Sequence, residues 1–490
     1  MKQIVVVGGG YAGFYTAWQL EKRLRPGEAQ VTVVDHTPYM TYQPFLPEVA
    51  AGSIEPRHAV VSLRRNLRRT RIVSGHVTAI EHADRVVHVR LADHSALRLT
   101  YDEVVVTAGA VTRVFPIPGI PDEAIGLKRI EEAVAVRDSI LGAFDRASSL
   151  PPGAERDRLL TVTFIGAGFA GVEGFGELLS LAHALCERLG IPPRELRFHL
   201  VDASDRILPE VSRKTSEWVV AFLRRRGAQV HLRATVLSAV DGVVRLSTGP
   251  EIDSGLIVWT AGVAANPVIS SHTDLPLTPR GLIVVRPDLR VGTTESPVPH
   301  AWAAGDDAAV PDLAAGPGAY TVPNAQHAVR QGKRAARNVV AVLRGRQPRP
   351  YRHRNLGVVA TLGLGSGVFQ SGPVVVKGLP AWLMHRGYHV LAIPTWDRKL
   401  RVMGGWVASS VLGRDIASLE SVQHPRFEFG NAGQPWQPAP RHAATNASNA
   451  SEADEAAEAA PEGADRGNAA KATSGSSRSL LPAWRLSPPR

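Results

Sequence analysis

The chain has 490 residues, 44% of them apolar and 6% aromatic, so it is long enough for two or three domains with cores of their own. Its one cysteine, Cys186, excludes an intramolecular disulfide, a Cys-x-x-Cys redox pair and any four-thiolate metal site, and fits a reducing compartment. The net charge of +11 is uneven: residues 352–415 carry eight Lys/Arg against two Asp/Glu, an excess suited to an anionic partner, whereas 431–490 balance six against six.

From the N-terminus, Ile4–Val7 reads as a buried strand running straight into Gly8-Gly9-Gly10-Tyr11-Ala12-Gly13, which leaves no room for a secretory signal. A helix is expected to about Leu24, then a strand Val31–Val34 ending in Asp35. The segment Glu103–Gly109 reads as a short apolar strand closing on Thr107-Ala108-Gly109. The same plan then repeats. Leu160–Ile165 is a strand, Gly166-Ala167-Gly168-Phe169-Ala170-Gly171 a turn, and a helix with Cys186 in its buried core is expected to about Arg188. Leu196–Val201 ends in Asp202, and Leu256 leads to a second Thr-Ala-Gly ending at Gly262. Strand, helix and strand alternating at this spacing call for an α/β fold with parallel, doubly wound sheets.

Each glycine turn has a chemical purpose. The first glycine permits a tight turn, the second lets backbone approach a pyrophosphate, and the third lets helix and strand pack closely, with phosphates on helix amides. An acid ending the next strand accepts from a ribose: Asp35 lies 22 residues after Gly13, and Asp202 lies 31 after Gly171. Asp202 favours a free 2′-hydroxyl and hence NADH over NADPH, with Arg206 nearby as the opposing feature. The reading is two Rossmann-like dinucleotide-binding domains, the second inserted in the first: 1–115 with 281–350, and 116–280. A C-terminal segment, 351–425, sets Trp382, Trp396 and Trp406 among arginines, and 431–490 has too few large apolar groups to fold and reads as a disordered tail.

Over about residues 1–425 these features resemble the type II (non-proton-pumping) NADH:quinone oxidoreductases of the two-dinucleotide flavoprotein superfamily. The resemblance implies a non-covalent FAD on Gly8, Gly10, Ala12, Gly13 and Asp35, and NADH on Gly166, Gly168, Gly171 and Asp202. Tyr42-Gln43-Pro44-Phe45-Leu46 with Glu48-Val49-Ala50 is similar to the family's flavin-side loop, and Ala304-Gly305-Asp306 to the segment whose aspartate holds the ribityl chain. Ala108, Gly109 and Gly262 join the cofactor-binding set. Ala325-Gln326-His327-Ala328-Val329-Arg330-Gln331 matches the family's quinone-side motif, with Asn324 where threonine is common; it implies that Ala325 amides face the flavin and that Gln326 and Gln331 bond a quinone carbonyl. Glu173, expected in the first turn of its helix, matches a glutamate near the nicotinamide and the quinone slot, so Glu173, Gln326 and Gln331 are the candidate catalytic residues. Glu177, one turn on, reads as structural. His385 and His389, spaced i, i+4, have no carboxylate or cysteine in company and read as interfacial polar residues; no metal is expected.

The lone cysteine argues against the disulfide reductases and the sulfide:quinone oxidoreductases, which need thiols beside the flavin. No stretch reads as a spanning helix, but Pro380–Leu412 mixes tryptophans and aliphatics with Arg398, Lys399 and Arg401, as in a helix lying in a membrane interface on anionic lipid. The expected partners are therefore NADH, a membrane quinone and an anionic lipid surface at the cytoplasmic face, with a homodimer left open and no nucleic acid. Two other readings carry weight: a soluble NAD(P)H-dependent reductase of ferredoxin or another small electron carrier, and a flavin-stabilised interaction or DNA-binding protein, which the high isoelectric point permits.

Overall fold

Strands Lys2–Val7, Ala29–Asp35 and Glu103–Val106 are nearly continuous runs of β-branched residues, and runs of that kind are stable only when covered on both faces. They form the centre of an eight-stranded sheet in the order 290–292, 297–303, 103–106, 2–7, 29–35, 71–81, 86–91, 96–100. Its inner pairs run parallel and its outer strands antiparallel. The computed structural model describes residues 1–353 and 357–419, all in the compact unit Met1–Gly430; the tail expected to be disordered lies outside the described residues.

A second sheet takes its five parallel strands only from the middle of the chain, in the order 124–126, 256–259, 161–165, 197–202, 228–232. The two fingerprint helices, Tyr11–Arg23 and Phe169–Leu189, each follow the central strand of their own sheet, so the expected repeat is present in three dimensions. The chain just beyond one Thr-Ala-Gly segment pairs with the chain just beyond the other. Just beyond them, Ala110–Thr112 pairs antiparallel with Val263–Ala265, Arg113 N donates to Gly262 O and Asn266 N to Gly109 O.

The helix Ala325–Leu343 returns to the first sheet and packs along Tyr11–Arg23 at very short range: a β-carbon on Gly332 would overlap the Ala12 carbonyl, and Thr16 Oγ1 bridges to Gly332 O at 3.2 Å. A glycine inside a helix costs about 1 kcal/mol relative to alanine, and this approach is the reason for it.

The C-terminal segment contains a three-stranded meander, Val358–Thr361, Gly367–Ser371 and Val374–Lys377, followed by helices Leu379–Ala392 and Trp396–Leu412. Cys186 is a free, buried thiol on the second fingerprint helix, and burial pushes it up to about 11. No helix of the described residues is long and apolar enough to cross a membrane.

Candidate active site

The two glycine turns are built alike, atom for atom. Gly8 and Gly166 have φ of +94° and +105°, backbone that only glycine adopts without strain. A β-carbon on Gly13 would overlap the Gly8 carbonyl oxygen, and one on Gly171 the Gly166 carbonyl oxygen. Thr107 Oγ1 bonds the carbonyls of Val7 and Gly8 as Thr260 Oγ1 bonds those of Ile165 and Gly166. Gly10 and Gly168 cap the two helices with no side-chain hydrogen bond, no acid stands in either first turn, and no atom lies where a β-carbon of either glycine would be. Each helix therefore presents unmated amides and its positive end to open space, the arrangement an anionic pyrophosphate requires.

The closing acids do more than the spacing suggested. Asp35 Oδ2 accepts from Gly9 N at 2.6 Å and Oδ1 from Thr37 N at 2.7 Å. Asp202 Oδ2 accepts from Ala167 N at 2.6 Å and Oδ1 from Ser204 N at 2.7 Å. Each carboxylate thus locks its own glycine loop and still has lone pairs for a ribose hydroxyl. Arg206, the feature opposing an NADH preference, is turned onto the carbonyls of Pro209 and Val211.

Around the first turn, three distant segments are stitched together. Gly305 lies against Ala12 and donates through its amide to Gln331 Oε1 at 2.8 Å, while Gln331 Nε2 donates to Thr321 Oγ1 at 3.0 Å. Gln331, implied by the resemblance to bond a quinone carbonyl, is buried with both ends of its amide engaged within the protein: packing of the helix against the Gly305 turn points it inward. Gln326 is half-buried, and its side chain makes no hydrogen bond with the described residues. Asn324 is the N-cap of this helix, its Oδ1 accepting from His327 N at 2.8 Å; asparagine and threonine both do this, so the departure from threonine keeps the cap. Gln43 reaches the carbonyl of Lys128 at 3.3 Å.

Two residues the sequence reading passed over belong to this site. Asp307 is fully buried; its Oδ2 accepts from Ala108 N at 2.6 Å and its Oδ1 has no partner. Burial, partly offset by those amides, pushes its carboxyl up to about 7. Burial likewise raises Asp306, opposed by Lys128, whose own ammonium is lowered by burial. An orphaned buried oxygen, an uncapped helix start and open backbone at Gly10 and Gly109 fit a dinucleotide cofactor here.

Glu173 differs from expectation in two ways. The helix already begins at Phe169, so Glu173 falls in its second turn and not in the first. Its carboxylate is buried and accepts from Thr361 N at 3.2 Å, and Oε1 lies 3.1 Å from His385 Nε2. His385 and His389 are accordingly buried, not interfacial; Tyr42 OH and His389 Nδ1 are 3.0 Å apart. Glu177, one turn on, has no exposure and takes Thr361 Oγ1 at 2.8 Å and Arg414 at 3.3 Å. Glu48 is bonded by Trp406 Nε1 and paired with Arg386 at 3.5 Å, and Arg386 stacks between Trp382 and Trp406, 4.0 and 4.6 Å from the ring centres. Among the described residues no hydrogen bond or ion pair joins Glu173 to Gln326 or Gln331, and no cluster of three metal-ligating side chains occurs.

Comparison with known proteins agrees with this geometry. Residues 2–332 match the pyridine nucleotide-disulphide oxidoreductase family. The chain is 30% identical over 430 residues to the type II NADH:quinone oxidoreductase Ndh of Mycobacterium tuberculosis, covering 83% of this chain and 88% of that one. It is 26% identical over 373 residues to the type II NADH:quinone oxidoreductase of Staphylococcus aureus, covering 75% and 89%. The NDH2 of Plasmodium falciparum, solved in complex with NADH, superposes with a TM-score of 0.75 at 17% identity over 85% of this chain and 99% of that one.

Proposed function

Because this chain belongs to the pyridine nucleotide-disulphide oxidoreductase family, among its type II NADH:quinone oxidoreductases, we propose that it holds a non-covalent FAD on its first glycine turn and takes NADH on its second. The reaction is the oxidation of NADH by a quinone, without proton pumping, and a flavin serves it. The observation that carries the cofactor reading is the duplicated, uncapped glycine turn, each locked by its own aspartate.

On this reading Gly8, Gly10, Ala12, Gly13, Asp35, Gln43, Ala108, Gly109, Gly305, Asp306 and Ala325 hold FAD, and Gly166, Gly168, Gly171, Asp202 and Gly262 hold NADH. The division into 1–115 with 281–350 and 116–280 follows the two sheets. The bound flavin supplies a two-electron carrier between a hydride donor and a quinone. The chain does the rest. Helix amides neutralise pyrophosphate charge, Asp35 and Asp202 fix the ribose ends, and Lys128 sets a cation beside Asp306. Gln331 acts as a positioning residue that fixes the Gly305–Asp306 turn, and Gln326 offers the unengaged amide to a quinone carbonyl. Glu173 stands where the nicotinamide and the quinone approach.

Access to a bilayer-dissolved quinone is supported by the last two helices. Leu383, Leu391, Trp396, Leu400, Val407 and Val411 are exposed apolar groups, with Leu391 and Trp396 at 76% and 77%. Arg401 and Lys399 stand on the same element, and Arg398 bridges to the Arg57 carbonyl, bringing further positive charge from 57–69 to this side. That combination suits a pair of helices lying in the interface of an anionic membrane at its cytoplasmic face. The same apolar face leaves a homodimer open, and no nucleic acid enters the scheme.

The test is NADH oxidation by the purified yellow protein with a short-chain quinone, run against NADPH and ferricyanide. Rapid quinone reduction with NADH upholds the reading. Reduction of the flavin by NADH with no reoxidation by quinone sinks it and turns the search to electron-carrier proteins.

A further inference from the structure

Three arginines from three elements surround one exposed carboxylate beside the second glycine turn. Asp202 ends its strand, and the loop after it folds back so that Ser204 N donates to Asp202 Oδ1 at 2.7 Å. Asp205 is the next residue of that loop, and its carboxylate pairs with Arg213, which opens the helix Arg213–Arg225. Arg206 follows it in the chain. Arg233, just past the strand Ala228–Leu232, is tied to the loop by its amide, which donates to Ser204 O at 2.9 Å. The bond from Arg213, and then the charges of Arg213, Arg233 and Arg206, hold the Asp205 carboxyl below the ordinary aspartate value.

An exposed ion pair adds little to stability, so the fold alone does not explain three cations around one surface aspartate. The loop after a strand-end acid is where the adenosine ribose of a dinucleotide ends, and an arginine there accommodates a 2′-phosphate. We propose that Asp205 is a specificity-determining residue: its carboxylate fills the anion site that Arg206, Arg213 and Arg233 would otherwise offer to the 2′-phosphate of NADPH, and so excludes that coenzyme. This assignment rests on the reading of the second turn as the NADH site, and it separates two tasks. Asp202, bonded to Ala167 N and Ser204 N, keeps lone pairs for the ribose hydroxyls. Asp205 neutralises the cations around it.

The charge count supports that division. Three arginines against Asp202 and Asp205 leave a net charge of +1. A 2′-phosphate brings about −1.5 to −2 at neutral pH, more than that site can neutralise. Without Asp205 the same count gives +2, which matches the phosphate. Arg206 is held by the carbonyls of Pro209 and Val211, so Arg213 is the cation that loss of Asp205 sets free. Glu217, one helical turn from Arg213, attracts it more weakly than Asp205 does and cannot take over its place.

The test compares the two coenzymes in the holoenzyme with ferricyanide as acceptor, so that no quinone is needed. Asp205→Ala should raise kcat/KM for NADPH at least fivefold and leave that for NADH within twofold. Asp205→Glu keeps the charge and should stay within twofold of wild type with both. The gain should fall by at least half in about 1 M KCl, where the screening length is about 3 Å. A smaller gain, an equal gain with NADH, or a gain untouched by salt overturns the assignment.

Calorimetric titration of the oxidised holoenzyme gives a second readout that needs no turnover. Adenosine 2′,5′-bisphosphate should bind Asp205→Ala at least fivefold more tightly than wild type. AMP, which lacks the 2′-phosphate, should bind both proteins alike. Adding Arg213→Ala should remove at least half of the bisphosphate gain. Equal bisphosphate affinities, or a gain that outlasts the loss of Arg213, overturn the proposal. If neither coenzyme reduces the enzyme while the bisphosphate still gains affinity, the oxidoreductase reading fails and the exclusion of a 2′-phosphate is upheld.

Discussion

Arg414 lies 3.3 Å from the fully buried carboxylate of Glu177, 237 residues earlier in the chain. With Arg137 set 4.0 Å from Asp415, and Leu419 N donating to Asp138 Oδ1 at 3.3 Å, this contact straps the end of the C-terminal segment to the nucleotide-side helices. The pair is buried on both sides, so removing one partner strands a charge. Arg414→Ala should cost about 3–5 kcal/mol and lower the unfolding midpoint by several degrees. Glu177→Met with Arg414→Met should recover most of that loss in the same melt. A single variant that melts with wild type would show that the strap is ornamental.

The two glycine turns separate the two cofactor steps. Gly13→Ala forces a methyl into the Gly8 carbonyl, and the purified protein should emerge largely colourless, without stoichiometric flavin absorbance. Gly171→Ala makes the same collision at Gly166, so that variant should stay yellow while its NADH KM rises at least tenfold. Equal flavin loss in both variants would contradict the division of labour between the turns.

A pH effect follows from the stacked pair His199 and His231, whose rings are 5.4 Å apart with Nδ1 and Nε2 at 3.1 Å. Burial first, then the like charges of His231 and Arg197, push His199 down to about 4. The unfolded chain takes up this proton near pH 6.5, before the folded protein does. The stability is therefore complete above about pH 6.5 and is lost as pH falls through about 4, by up to roughly 3 kcal/mol. In His199→Leu the urea midpoint should change less between pH 7 and pH 5 than in wild type. An unchanged acid slope refutes the assignment.

The exposed apolar face of the last two helices should govern lipid binding. Leu391→Glu with Leu400→Glu and Val407→Glu should abolish sedimentation with phosphatidylglycerol-containing vesicles. NADH:ferricyanide activity in solution should hold within twofold, since these side chains point away from the core. Arg401→Glu should weaken binding to anionic vesicles by about 1 kcal/mol or more and leave neutral vesicles unaffected. A triple variant that still sediments but becomes monomeric would assign the face to a second copy of the chain.

Fold class and cofactor turns were legible because a dinucleotide fingerprint is a local code. Glycine spacing, a β-branched strand before it and an acid at the end of the next strand all lie within about thirty residues, and each is demanded by backbone geometry at short range. The strands, both glycine helices and the burial of Cys186 follow from that code and from hydrophobic runs alone. What lay beyond it was the pairing of charges. The placement of Glu173 in a second turn, the inward amide of Gln331, the orphaned oxygen of Asp307 and the burial of His385 depend on partners as far as 212 positions away. A buried carboxylate is tolerable only where a cation or donor meets it, and nothing in a short window of sequence states which distant side chain that will be. The amino-acid sequence by itself determined that two matched glycine turns would form, each closed by its own aspartate; only the packing of the C-terminal helices onto the second fingerprint helix decided that a histidine would be buried beside Glu173.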